Sequence, residues 1–183
     1  TTTSDGKVWI KKPGKMRWDY YSKKKKKGGK SVVETIKTFI SNGTYLYVIE
    51  HQNKQVIEKN PENSMLPTAV TFLYGKGDLK KDFDAEIDTS GDYGSKDDIV
   101  LKMNPKVESA QYSVLYLVVD KTNYRVKESV VIDSAKNVNH FRFYEPDFDT
   151  EIKSSLFVFN KKKVPNYRIT SDDDEDAADS KTE

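Results

Sequence analysis

The sequence contains no cysteine. That excludes a disulfide framework, a thiol nucleophile, an iron–sulfur cluster and a thiolate zinc site. Histidine is nearly as scarce: His51 and His140 stand far apart with no HxxxH or HxH spacing, so no histidine-built metal site is expected. No run approaches the ~20 apolar residues that a membrane-spanning helix needs. A charged fraction of 33% and a mean hydropathy of −0.77 point instead to a soluble chain. Arginine is confined to Arg17, Arg125, Arg142 and Arg168. No RNA-binding pattern of interleaved aromatics accompanies them, which weakens the reading as a basic polyanion or nucleic-acid binder. No repeat of fixed period is visible, so solenoids and propellers are not expected.

What is present suits one domain. A chain of 183 residues hides roughly 70% of its unfolded surface on folding, enough for a core without staples. The net charge of +2 is unevenly spread: residues 172–183 hold seven acids and one lysine, which leaves residues 1–171 at +8. This acidic tail lacks the apolar surface to offset its ordering entropy, so residues 171–183 are expected to be disordered and 1–170 to form the single domain. Thr1 opens directly into a strand pattern, with no methionine and no apolar targeting segment. A processed or truncated product without its signal peptide is therefore expected.

Strand patterns dominate. Val8 and Ile10, then Met16, Trp18 and Tyr20, recur at period two on either side of Pro13-Gly14, which reads as a hairpin. A lysine-rich loop over 23–30, a strand over 33–41, a tight two-residue turn at Asn42-Gly43 and strands over 45–50 and 55–59 follow. Between 61 and 82 the pattern breaks. Pro67 can start a helix, Ala69, Val70, Phe72 and Leu73 give it an apolar stripe, and Gly75 and Gly77 end it. A further helical turn over 78–82 carries Leu79. Strands resume at 99–104, 112–120, 125–133 and 138–144. A short helical turn with Ile152 and Leu156 precedes a last strand near 167–169. The sum is about ten antiparallel strands with a small helical insert.

Residues 45–49 (YLYVI) and 114–119 (VLYLVV) are apolar on both faces, whereas a sheet with one wet face alternates cleanly. Both faces must therefore be covered. A two-sheet sandwich and a curled sheet with a lidded cavity both satisfy this pattern.

The segment Gly6-Lys7-Val8-Trp9-Ile10-Lys11-Lys12-Pro13-Gly14-Lys15-Met16-Arg17-Trp18 resembles the signature of the LolA family of periplasmic outer-membrane lipoprotein carriers. Ser41-Asn42-Gly43-Thr44-Tyr45-Leu46-Tyr47 is similar to that family's next hairpin, and the stretches 116–126, 138–143 and 157–160 fall where it has its closing strands. The resemblance covers residues 6–169. It implies a mainly β fold: an incomplete, unclosed antiparallel β-barrel whose apolar concave side is covered by short helices. It further implies a carrier with no catalytic residue, cofactor or metal. Such a carrier binds lipoprotein acyl chains, takes them from an inner-membrane LolCDE-like ABC transporter, passes them to an outer-membrane acceptor such as LolB, and acts as a monomer. The family's leading helix and first strand have no counterpart upstream of Thr1.

Carried over residue by residue, the resemblance assigns lid and closure to Lys12, Pro67, Val70, Phe72 and Leu73. It assigns transporter docking to Pro13 and Met16, and the acyl-chain cavity to Trp18, Leu46, Val48, Leu79, Leu117, Phe141 and Phe143. Many members have arginine at Lys12; lysine can still donate to lid carbonyls, without the bidentate fork. Many have phenylalanine at Met16, and methionine fills an apolar socket adaptably. A LolA- or LolB-like acceptor or sensor domain that binds lipid without transport is the alternative within the same class. Simpler readings stand beside these. Trp9 and Trp18 suit cross-strand packing, Lys23 to Lys27 suit a solvated loop or attraction to anionic headgroups, and His140 suits a sheet face near Tyr144. The acid pairs Asp97-Asp98 and Asp82/Asp84 have no nucleophile or metal pattern beside them.

Overall fold

The computed structural model describes residues 2–25, 31–60, 78–108 and 112–171. The backbone groups into two compact units, Thr1–Ser64 with Glu151–Glu183 and Met65–Thr150. The first unit holds a six-stranded sheet of β1 (Asp5–Lys11), β2 (Lys15–Lys25), β3 (Ser31–Asn42), β4 (Leu46–Glu50), β5 (Gln55–Lys59) and, last in the chain, β11 (Arg168–Ser171), in that spatial order. Two 3₁₀ turns, Ser154–Phe157 and Lys161–Lys163, lead into β11. Among the described residues the first element of the second unit is a single helical turn, α1 (Leu79–Asp82), whose first N–H groups on Lys80 and Lys81 are capped by the Asp78 carboxylate. Its sheet comprises β6 (Phe83–Ile87), β7 (Asp98–Pro105), β8 (Val114–Asp120), β9 (Val126–Ile132) and β10 (Val138–Arg142), paired in sequence order. Neither sheet closes on itself. The chain is mainly β with few helices, as the resemblance implied.

Several local expectations change. Ser41 pairs with Leu46 and the Asn42 N–H donates to the Tyr45 carbonyl at 3.3 Å, so the turn is centred on Gly43-Thr44, one residue beyond the expected Asn42-Gly43. The Asn42 side chain is the reason: its Oδ1 accepts the N–H groups of Thr44 and Tyr45, both at 2.8 Å, and Gly43 supplies φ +100°. The lysine run is not all loop, because β2 continues through Lys25, with Lys23 paired to Val33 and its ammonium 3.3 Å from Asp5. β6 was not foreseen, although Phe83, Ala85 and Ile87 alternate with Asp84 and Glu86 at strand period. Not every pairing is antiparallel: β11 runs parallel to β5, because the chain returns to that edge at the β4–β5 turn, where the Arg168 N–H donates to the Lys54 carbonyl at 2.9 Å. The helix expected from Pro67 lies outside the described residues, as does the tail expected from residue 171, except that Ser171 itself ends β11 paired with Glu58.

Asn42→Ala removes the acceptor of two backbone N–H groups. It is expected to lower stability by about 1 kcal/mol, read as a shifted urea midpoint at unchanged m-value. An unshifted midpoint would mean that water replaces the side chain at no cost.

Candidate functional site: two apolar sheet faces

Directly paired residues lie on the same face of a sheet, so the register fixes which side chains meet. In the first sheet Val8, Trp18, Phe39, Val48 and Ile57 make one row, and Ile10, Met16, Ser41 and Leu46 the row beside it. Met16, Trp18, Leu46 and Val48 are all buried. Trp18 stacks on Tyr20 with ring centroids 5.4 Å apart, and Tyr20 meets Phe39 edge-on at 5.9 Å. Burial pushes the Tyr20 hydroxyl up to about 12. Three of the residues expected in the cavity, Trp18, Leu46 and Val48, thus share one aromatic-lined face.

The opposite face of that sheet is covered by the chain's own C-terminal segment. Ile40, Ile49 and Val56 pack with Val164, flanked by Tyr47, Phe159, Tyr167 and Ile169. Phe159 stacks on Tyr47 at 4.7 Å. A polar chain runs through the same face. Arg17 Nε donates to Asp19 Oδ2 at 3.0 Å, and Thr38 Oγ1 donates to Asp19 Oδ1 at 2.7 Å. His51 Nε2 lies 3.1 Å from Thr38 Oγ1, and His51 Nδ1 lies 3.1 Å from the Tyr167 hydroxyl. Since the single hydroxyl proton of Thr38 goes to Asp19, Nε2 must carry the proton that His51 donates, and Nδ1 of the neutral ring accepts from Tyr167. The network ties β2, β3 and the β4–β5 turn to the C-terminal segment.

In the second sheet Leu101, Leu117, Ser129 and Phe141 form a row beside Met103, Leu115 and Val131. Leu117, Met103, Leu115 and Val131 are buried and Phe141 half-buried. Phe143 continues the alternation just past β10, held by its N–H on the Lys127 carbonyl at 2.9 Å. The other face carries charge pairs: Lys102 with Glu86 at 2.8 Å, and Glu128 with His140 at 2.6 Å and Arg142 at 3.4 Å. His140 also meets the edge of Tyr93. The β6–β7 connection packs on this face at Gly94 (φ +71°), where a Cβ would come within 3.0 Å of Val100. Asp98 anchors that connection. Burial acts to raise its pKa, but the Lys127 ammonium at 2.7 Å and two bonds from Ser95 outweigh it and hold the carboxyl below its usual value. A cleft of about 510 Å³ under the connection is lined by Ile87, Asp88, Tyr93, Asp98 and Lys121, among others. It includes none of the residues expected to hold acyl chains.

The remaining candidates fall as follows. Lys12 and Pro13 are exposed in the β1–β2 turn, while Met16, expected at a docking contact, has 1% of its surface exposed between Ile10 and Ser41. In this state Met16 packs inside the fold. Leu79 is half-buried in α1. Pro67, Val70, Phe72 and Leu73 lie outside the described residues. Sequence reasoning missed Phe39 and Ile57, which only the register adds to the Trp18 row, and the Asp19–Thr38–His51–Tyr167 chain, whose members are scattered along the sequence.

The family model for the outer membrane lipoprotein carrier protein LolA matches residues 1–160. The chain belongs to the LolA family. No protein of curated function matches it. LolA family proteins are carrier chaperones, not enzymes, and membership gives a lipoprotein-carrier or lipid-binding role. Among the described residues, no helix is long and apolar enough to cross a membrane. The LolA match ends before Val164, Tyr167 and β11; the sequence pattern already placed a last strand near 167–169, and the structure adds that Val164, Tyr167 and Ile169 pack on Ile40, Ile49 and Val56.

Burial holds the His51 imidazole below its ordinary pKa, with Asp19 opposing and Arg17 adding to the shift. The folded chain therefore takes up a proton less readily than the unfolded chain, whose histidine titrates near ~6.5. Stability is expected to fall as the pH is lowered through about 6.5 and to level off below the folded value. Urea unfolding between about pH 7.5 and 5.5 reads this slope. His51→Gln should flatten it, and an unchanged slope in that variant would place the titration elsewhere.

Proposed function

We propose that this protein is a periplasmic carrier that holds lipoprotein acyl chains against the apolar sheet faces. It accepts them from an inner-membrane LolCDE-like ABC transporter and releases them to an outer-membrane acceptor such as LolB. Residues 1–170 act as one carrier domain. The observation that supports this reading best is the convergence of Trp18, Leu46 and Val48 on one face of the first sheet, and of Leu117 and Phe141 on one face of the second. These faces offer alkyl and aromatic surface and almost no hydrogen-bonding groups, which suits a saturated chain.

The energetics constrain how such a carrier works. A hexadecanoyl chain fully removed from water gains on the order of 13 kcal/mol at ~0.8 kcal/mol per methylene, already nanomolar or tighter before ordering costs. Several chains held that well would not leave. A carrier must therefore bury them incompletely and keep a cover that closes over the apolar face when it is empty. We assign that cover to residues 67–73 and its catch to Lys12, whose ammonium can donate to cover carbonyls. Docking to the transporter falls to the exposed turn at Pro13, with Met16 packed beneath it.

A fluorescent fatty-acid probe is expected to bind the protein saturably, at one or a few sites, and purified lipoprotein should displace it. Probe that fails to saturate, or that lipoprotein leaves in place, contradicts the carrier reading.

A further inference from the structure

One corner of the first unit gathers positive charge without ion-pair partners among the described residues. The Arg168 N–H bonds the Lys54 carbonyl at 2.9 Å, which sets these two residues side by side at the sheet edge. Lys161–Lys163 form the 3₁₀ turn just before them. The Val164 N–H returns to the Lys161 carbonyl and the Tyr167 N–H to the Val164 carbonyl, both at 3.1 Å, so the turn folds back toward Arg168. Val164 itself is anchored in the core with Ile40, Ile49 and Val56, and Asn160 caps the turn through the Lys162 N–H at 2.9 Å. The five cationic residues are thus mounted on a fixed piece of backbone, and all are exposed.

None of the five has an ion-pair partner among the described residues, whereas other cations of the chain do: Lys23 with Asp5, Lys37 with Glu50, Lys102 with Glu86 and Lys127 with Asp98. Two described acids of the adjoining strands are engaged elsewhere, Glu50 with Lys37 and Asn53, Glu58 with the Tyr47 hydroxyl. Val158, three residues before the lysine turn, leaves 59% of its surface in water. Four of the five cations are lysines, compact point charges rather than planar forks. That composition suits phosphate headgroups more than base edges.

We propose that Lys54, Lys161, Lys162, Lys163 and Arg168 form a docking surface for anionic lipid headgroups, with Val158 entering the interface. The surface lets the carrier rest on a membrane while cargo is exchanged. Its choice of partner rests on the carrier reading. The acyl-chain site is a separate part of the protein, so the two can fail independently.

The test is co-sedimentation of the full chain with phosphatidylcholine vesicles, with or without phosphatidylglycerol. Probe binding is measured in parallel. Near an anionic surface each basic residue contributes about 1 kcal/mol, so replacing Lys161, Lys162 and Lys163 together by serine should weaken binding to the anionic vesicles on the order of a hundredfold at low salt. High salt should abolish the binding of both forms, since exposed charges are screened over ~8–10 Å. Probe binding should be unchanged. As a control for net charge, Lys80, Lys121 and Lys136 are replaced together by serine, which should leave most vesicle binding in place. The proposal is overturned if the two triple variants lose binding equally, if wild type binds neutral and anionic vesicles alike, or if it prefers generic duplex DNA at the same salt. Loss of probe binding by wild type alone would fault the carrier reading and leave the docking surface standing.

Discussion

Strands Leu46–Glu50 and Val114–Asp120 bury side chains on both of their faces, and this double apolarity is the constraint to which the rest of the architecture answers. Each apolar face left in water would cost about 25 cal/mol per Å², so a sheet built this way needs two covers. In the first sheet one cover belongs to the chain itself. Phe159, Val164, Tyr167 and Ile169 close over Ile40, Ile49 and Val56, and β11 then joins the sheet edge beside β5. On the other face Trp18, Leu46 and Val48 are buried in this state as well, and this is the face proposed above to take the acyl chain.

The two faces differ in how they are fixed. The face under the C-terminal segment includes buried polar groups, and every one of those groups in the Arg17–Asp19–Thr38–His51–Tyr167 chain has a geometrically sound partner. Such a chain costs stability if half made and selects one arrangement when complete. The Trp18 face includes the Ser41 hydroxyl, which donates to the Gly14 carbonyl at 2.9 Å, but is made mostly of apolar side chains, whose contact is non-directional and tolerates exchange of one apolar partner for another. The carrier proposed above needs permanence on one side of such a sheet and replaceability on the other. The lipoprotein-carrier or lipid-binding role itself comes from the LolA match over residues 1–160.

Much of this was legible in the sequence because period-two alternation and β-branched residues are local signals. The Val8 to Tyr20 hairpin, the strands around Tyr47 and Leu117, and the Asp78-capped helical turn all lie where the pattern puts them. The failures have a common origin in longer-range geometry. The Asn42 side chain takes the N–H groups of Thr44 and Tyr45, and the turn moves one residue along the chain. β11 is parallel because of where the chain returns, which no local pattern records. Met16 alternates correctly with Trp18, yet alternation alone does not say whether a hydrophobic side chain meets solvent, a partner or the core. The grouping of Trp18, Leu46 and Val48 on one face needed the register, and the His51 network needed four separate segments to be brought together.

The two tryptophans offer the most direct measurement. Trp18 lies in the apolar row with Val48, whereas Trp9 pairs with Arg17 on the opposite face of the same sheet, and the chain has no other tryptophan. In Trp9→Phe and Trp18→Phe variants each remaining indole reports on its own face. A brominated acyl chain, whose heavy atoms quench only at contact, is added to both. The account predicts saturable quenching of Trp18 at the affinity of the fatty-acid probe, with Trp9 nearly unaffected. Quenching of Trp9 instead, or saturable binding that leaves Trp18 unquenched, would contradict the assignment of the acyl-chain site to this face.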